Sequence, residues 1–257
     1  MPVPASLASY DGVACDVILG RSGATSLLVV DRCRSTMDLC HALAADGAPH
    51  GSVVVAGAQA AGRGRSGKAW VSGEAAGVWA SVLLRRSDGA PPGVLPLRVG
   101  IALADGLERL ADVRIGLKWP NDLFAGGGKL AGVLTEARWR GDSLEWMVVG
   151  VGVNVTAPTP HGDGLVTASL GPQVTRADVL VAVVRAVLGA AARDGALDAA
   201  ELATYAARDV ATGRRVSSPL AGVVAGITPS GGLRVHDGAG ESVAVAGSLV
   251  FVDNTEG

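Results

Sequence analysis

The sequence predicts an α+β fold, a mixed and largely antiparallel sheet flanked by helices, followed by a small C-terminal β-barrel. Three observations carry this reading. The strand-like runs 129–138 and 144–151 are parted only by Gly141-Asp142-Ser143, the spacing of a hairpin, which favours an antiparallel or mixed sheet over a doubly wound one. Four segments with helical patterning are interspersed with such runs. From Gly213 the texture changes to short strands broken by proline and glycine turns.

In chain order, residues 27–30 read as a first strand and Thr36–Ala45 as a helix. Residues 52–58 and 78–84 are apolar and rich in β-branched side chains, hence strands. Pro96–Leu110 reads as a second helix and 113–118 as the next strand, followed by the hairpin pair. Residues 154–174, rich in Pro, Gly and Thr, read as a loop. Arg176–Arg193 is a third helix that Thr175 could cap, with Asp178 offering an imperfect capping box. Its Val179, Val183, Ala186 and Ala190 form one stripe at helical spacing, a core face. Leu197–Ala207 is the fourth helix. The C-terminal strands are Arg215–Val216, Gly222–Ile227, Leu233–Val235, Ser242–Val245 and Leu249–Val252. The expected division is 1–212 and 213–257.

Composition excludes several classes. A net charge of −2 argues against broad electrostatic binding of nucleic acid. Cys15, Cys33 and Cys40 show no metal-ligand spacing, and an odd number discourages a disulfide framework. Met1–Gly12 lacks the basic and apolar regions of a signal peptide. The apolar stretch Val179–Ala192 carries Arg185 and is too short to span a bilayer. A soluble cytoplasmic enzyme without a membrane partner is expected.

The chemistry concentrates in Gln59-Ala-Ala-Gly-Arg-Gly-Arg-Ser-Gly-Lys-Ala-Trp70. Three glycines free the backbone to wrap closely around a ligand, while Arg63, Arg65 and Lys68 supply cationic donors suited to carboxylate or phosphate. Three like charges on a glycine-rich loop should also repel, so residues 62–68 are expected to order on an anionic ligand. Gly62, Gly64 and Gly67 satisfy the G-x-G-x-x-G dinucleotide fingerprint, but no helix opens there and the next strand arrives too soon for a crossover. Asp88, near the distance that fingerprint needs, sits in the turn-like Arg86-Ser87-Asp88-Gly89.

Four further segments stand with this loop: Ser35-Thr36-Met37, Lys118-Trp119-Pro120-Asn121-Asp122-Leu123, Gly128-Lys129-Leu130-Ala131-Gly132 and Gly150-Val151-Gly152-Val153-Asn154. In this order and spacing the five resemble the catalytic domain of biotin protein ligases, across most of residues 27–155. The resemblance implies the class II synthetase-like fold of biotin and lipoate ligases with an SH3-like C-terminal domain. It implies an enzyme that activates biotin as biotinyl-5'-AMP with ATP and Mg2+, then passes biotin to a lysine of a biotin carboxyl carrier protein domain of a biotin-dependent carboxylase. Members with an N-terminal winged helix bind an operator. Only about 25 residues precede the first recognised strand here, so a ligase without repressor function is expected. A homodimer is compatible with the resemblance.

Carried over residue by residue, the resemblance assigns catalysis to Lys129, Arg65 and Asp122. It places biotin at Ser35, Thr36, Met37, Gln59, Gly62, Arg63, Gly64, Arg65, Lys129 and Gly132, and ATP or the adenylate at Arg65, Lys68, Trp70, Asn121, Lys129 and Asn154. It assigns no protein ligand to a metal. Trp119 reads as packing, whereas Trp70 and Trp79 could wall the ligand or belong to the core. Met37, Ser66 and Lys68 depart from the commonest family residues, and Lys68 in place of arginine keeps charge but loses bidentate geometry. Two alternatives remain. One is a lipoate or octanoate ligase or transferase of the same fold. The other is a catalytically impaired biotin- or nucleotide-binding homologue.

Overall fold

A computed structural model describes residues 4–85, 93–159 and 165–252. The chain opens with a two-stranded hairpin, β1 (Ser9–Tyr10) and β2 (Val13–Ala14), and helix α1 (Cys15–Ser22). A seven-stranded sheet follows, built from β3 (Ser26–Cys33), β4 (Ser52–Gln59), β5 (Gly77–Leu84), β6 (Ile115–Lys118), β7 (Asp122–Ala125), β8 (Gly128–Arg140) and β9 (Ser143–Asn154). Its order is β3-β4-β5-β9-β8-β7-β6. Only β3 and β4, joined through α2 (Thr36–Ala45), run parallel; the other neighbours are antiparallel. The sheet is therefore mixed and largely antiparallel, as the hairpin spacing predicts.

Both faces of the sheet are covered, which is why its central strands read as unbroken apolar runs. Along β4, Val53 and Val55 point into a large core with α3 (Val94–Glu108) and α4 (Arg176–Ala191), whereas Val54 and Ala56 point into a smaller one under α2 with Leu39, Leu83 and Val148. The predicted stripe of α4, Val179 through Ala190, is buried, and Thr175 caps the helix by accepting from the backbone N–H of Asp178. The box is imperfect because the Asp178 carboxylate accepts from the Thr175 hydroxyl at 2.6 Å.

Helix α5 (Ala199–Ala206) packs beside α3 under a complete capping box of Asp198 and Glu201. Glu201 also holds Arg98 of α3, Nε to Oε1 at 2.7 Å, with both side chains almost fully buried. Arg98 donates as well to the carbonyls of Arg193 and Ala196, so the pair staples the α4–α5 connection to α3. Burial works to raise the Glu201 carboxyl, but the bonds from Arg98 and the Asp198 backbone outweigh it and hold it below the usual range. A carboxyl with a depressed folded pKa contributes stability above its unfolded pKa and loses it as pH falls through the folded one. Glu201→Gln is expected to cost about 3 kcal/mol at neutral pH by leaving a buried guanidinium uncompensated, read as a lower urea midpoint, with a smaller deficit in acid.

The C-terminal strands β10 (Arg215–Ser218), β11 (Gly222–Ile227), β12 (Leu233–Asp237), β13 (Gly240–Ala244) and β14 (Val250–Phe251) form an antiparallel sheet in the order β13-β12-β11-β10-β14. The sequence reads this region as a barrel; among the described residues, no ladder joins β13 to β14. The sheet does not stand apart from the first. Val216, Val224, Leu233 and Leu249 belong to the same core as β4 and α3, and buried Trp119 donates its indole N–H to the Gly231 carbonyl at 2.9 Å. Trp119 is thus packing, as expected. Asp88 and its turn lie outside the described residues.

Candidate active site

A cleft of about 630 Å³ opens between the 62–70 loop, the N-terminal turn of α2, the central strands and the C-terminal sheet. Its floor is made by glycines. Gly132 of β8 and Gly152 of β9 are cross-strand partners, and Trp70 lies over both. A Cβ on Gly152 would come within 2.6 Å of the Trp70 ring, so the Gly-x-Gly-x-Asn motif clears space for an indole. Gly150 does the same for the Met37 thioether. Trp79 meets Trp70 edge-on at 6.4 Å and is itself buried, so both tryptophans line the cleft and Trp79 also belongs to the core.

One end is polar but neutral. Ser35 caps α2, accepting from the backbone N–H of Met37. Gln59 at the end of β4 accepts from the Thr36 backbone N–H at 2.8 Å and from its hydroxyl at 3.1 Å, and donates to Ser72 at 2.7 Å. Thr36 is also within 2.8 Å of Ser81, so buried hydroxyls and an amide stand in fixed orientation beside Met37.

The other end is cationic. Lys129 is buried, and its backbone is clasped by the 165–168 segment, donating to Val166 and accepting from Ala168. Its Nζ lies 2.8 Å from Asp122 Oδ1 and 5.1 Å from the Trp70 ring. Arg65, Lys68 and Lys118 line the same cleft, and among the described lining residues Asp122 is the one carboxylate. Burial pulls the Lys118 ammonium below the ordinary lysine value; Asp122 opposes this, and Lys129, Lys68 and Arg214 add to the depression. Burial likewise lowers the Arg65 guanidinium against the pull of Asp122. Desolvated like charges mean that the cleft favours a multiply charged anion. Pyrophosphate at about 100 times its Kd should stabilise the fold by about 2.7 kcal/mol. That corresponds to a melting temperature higher by roughly 5–10 °C, measurable by calorimetry, with sulfate giving much less.

Of the residues predicted for the site, Ser35, Thr36, Met37, Gln59, Arg63, Gly64, Arg65, Lys68, Trp70, Asn121, Asp122, Lys129 and Gly132 line this one cleft. Gly62 and Asn154 stand behind it. A Cβ on Gly62 would lie 2.4 Å from the Trp70 carbonyl oxygen, so this glycine lets the loop close on itself. Asn154 is buried and donates to the carbonyls of Ala168 and Lys129, fixing the backbone that presents Lys129. Asn121 donates to the Val133 carbonyl at 2.7 Å. Arg63 is bound to Asp38 and Glu136, so mutual repulsion of three free cations does not describe this loop.

Sequence reasoning missed two contributors. Lys118 pairs in register with Asp122 across the β6–β7 turn, a placement its position ahead of Trp-Pro-Asn-Asp does not reveal. Residues Ser248–Phe251 of the C-terminal sheet form part of the cleft wall, with the Phe251 ring under Arg214 at 3.4 Å and Lys118 at 5.1 Å. No local signal marks them; only the tertiary fold brings them here.

Fold and site together define an α+β domain with a cationic, glycine-floored ligand cleft. Residues 29–154, just under half of the chain, match the model of the biotin/lipoate A/B protein ligase family. It is 35% identical over 164 residues to the bifunctional ligase/repressor BirA of Bacillus subtilis, covering 60% of this chain and 50% of that one. It is 39% identical over 170 residues to the biotin–[acetyl-CoA-carboxylase] ligase of Mycobacterium tuberculosis, covering 63% and 62%. The chain thus spans about half to three-fifths of the length of these relatives. The structure of biotin protein ligase from Aquifex aeolicus in complex with biotin and ATP shares the fold, with a TM-score of 0.73, 23% identity, and coverage of 89% of this chain and 99% of that one. Among the described residues no helix is long and apolar enough to cross a membrane, and no cluster of three or more His, Cys, Asp or Glu could hold a metal.

Proposed function

We propose that this chain is a biotin protein ligase. The observation that carries the reading is buried Lys129, paired with Asp122 and set among Arg65, Lys68 and Lys118 in a cleft whose other end is polar and neutral. A biotin carboxylate must approach the α-phosphate of ATP, and two like charges at 4 Å repel by about 1 kcal/mol in water and several-fold more where the effective dielectric is low. Lys129 and Arg65 offset that repulsion without reorganising, as the carboxylate oxygen bonds to phosphorus and pyrophosphate departs. Ser35, Thr36 and Gln59 orient the biotin head beside Met37, while Trp70 walls the adenylate. Lys68, Lys118 and Asn121 complete the nucleotide side.

In the second step a lysine amine of a biotin carboxyl carrier protein attacks the acyl carbonyl and AMP leaves. An ordinary lysine amine is protonated at neutral pH and must lose a proton first. Asp122 is placed to receive the ammonium. Mg2+ is usually held by one or two carboxylates together with substrate phosphates. Asp122 is the one carboxylate among the described lining residues, so a Mg2+ ion brought by the triphosphate would be held mainly by phosphate oxygens and would supply charge neutralisation there. Residues 1–212 form the ligase domain and 213–257 the C-terminal one, whose Ser248–Phe251 segment helps to enclose the ligand.

Titration calorimetry with biotin, lipoate and octanoate tests the substrate. Binding of biotin is expected to be tighter by about 10²-fold or more, because the neutral polar end has donors and acceptors that an aliphatic acid leaves unpaired. Equal or tighter binding of lipoate or octanoate would favour the related transferases instead.

A further inference from the structure

Arg63 spends its donors on the protein. Its Nε and Nη2 meet the two carboxylate oxygens of Glu136 at 3.2 Å each, and Nη1 meets Asp38 at 2.6 Å. Burial acts to lower the guanidinium pKa, but the bonds from Glu136 and Asp38 outweigh it and leave it above the ordinary arginine value. Two carboxylates already share this one guanidinium, so its charge is taken up within the protein. Glu136 lies on β8 and Asp38 in the first turn of α2, so Arg63 ties the glycine-rich loop to both walls of the cleft.

Glu136 is itself held. His41 Nε2 lies 3.0 Å from Glu136 Oε2, and His41 Nδ1 lies 3.0 Å from the indole nitrogen of Trp146. An indole N–H can only donate, so Nδ1 accepts, and the ring proton sits on Nε2 and points at Glu136. The relay therefore runs in one direction, Trp146 to His41 to Glu136, and presents the carboxylate to Arg63.

We propose that Glu136, oriented by His41 and Trp146, is a positioning residue that makes Arg63 the tether of the 62–70 loop rather than a ligand of the substrate. Within this loop Gly64 donates to the Lys68 carbonyl and Trp70 to the Gly62 carbonyl, so fixing Arg63 at one end also fixes where Arg65 and Lys68 enter the cleft. Loop order held in advance reduces the entropy lost when the adenylate binds. This inference rests on the ligase reading.

The test compares steady-state pyrophosphate release from biotin and ATP in the full chain and in variants. Glu136→Gln keeps shape and removes charge; it is expected to raise KM for biotin and ATP about tenfold with kcat within about threefold, as for a charge-assisted pair that is partly exposed. Trypsin should cut the unliganded variant at Arg65 and Lys68 correspondingly faster. Arg63→Met combined with Glu136→Gln should be no worse than Arg63→Met alone, because Glu136 acts through Arg63. Asp38→Asn, altering a half-exposed side chain away from β8, should repeat the KM pattern at about threefold and keeps the test valid if the Glu136 variant unfolds. Parent-like KM and cleavage in Glu136→Gln, or multiplying effects in the double variant, would overturn the proposal. A parent chain that releases no pyrophosphate refutes the ligase reading instead, and the trypsin rates still judge the tether.

Discussion

Lys129→Ala is expected to slow pyrophosphate release from biotin and ATP by about 10³-fold, with kcat and kcat/KM falling together. The size follows from position. Lys129 is buried, its backbone is pinned by the 165–168 segment and by Asn154, and its ammonium already stands in the cleft before a ligand arrives. A fixed cation in a desolvated site offsets developing charge without reorganising, whereas a water molecule replacing it must reorient. The fold should survive, because the stranded Asp122 carboxylate borders an open cleft and retains Lys118 and Arg65 nearby. Circular dichroism and a melting curve like the parent's would confirm this, and a folded variant with near-normal pyrophosphate release would remove Lys129 from the chemistry.

Asp122→Asn should divide the two half-reactions. Adenylate formation needs positive charge, and removing the one described acid of the cleft leaves that charge in place. Transfer requires an approaching ammonium to be held and deprotonated, and losing such a group costs about 10²–10⁴-fold. We therefore expect pyrophosphate release within a few-fold of the parent, and transfer from preformed adenylate to a carrier lysine slower by at least about 10²-fold. Transfer at the parent rate would reduce Asp122 to a turn residue that pairs with Lys129. The structure gives this variant a second signature: Lys129 loses its partner at 2.8 Å, so the stabilisation by pyrophosphate should grow.

Much of this architecture was legible in the sequence, for physical reasons that differ by element. Strands β4, β5 and β9 are buried on both faces, and their β-branched runs reveal them directly. Helix α2 was readable over its full span, Thr36–Ala45, and the structure adds that Ser35 caps it. Strand β7 was not, since Pro-Asn-Asp carries turn chemistry into the first residue of a four-residue strand fixed by pairing with β6 and β8. Helix α1 was missed as well; Ala14 gives it no side-chain cap, and it is held instead by packing on α4. In the site, the motifs located the cleft because each must clear or charge it locally. The neutralisation of Arg63 could not be read, since Asp38 and Glu136 lie 25 and 73 residues away in sequence and meet it only through the sheet. The same holds for Phe251 on Lys118.

A single-turnover experiment tests the central claim most directly: enzyme in excess over labelled ATP, with biotin, lipoate, octanoate or no acid, and pyrophosphate followed in time. A cleft that brings a biotin carboxylate to the α-phosphate should release pyrophosphate stoichiometrically with biotin and accumulate bound biotinyl-5'-AMP, with little release in the other arms. Binding of biotin and ATP without pyrophosphate release would make the chain a binding protein, and a burst with lipoate or octanoate in place of biotin would contradict the assignment of its substrate.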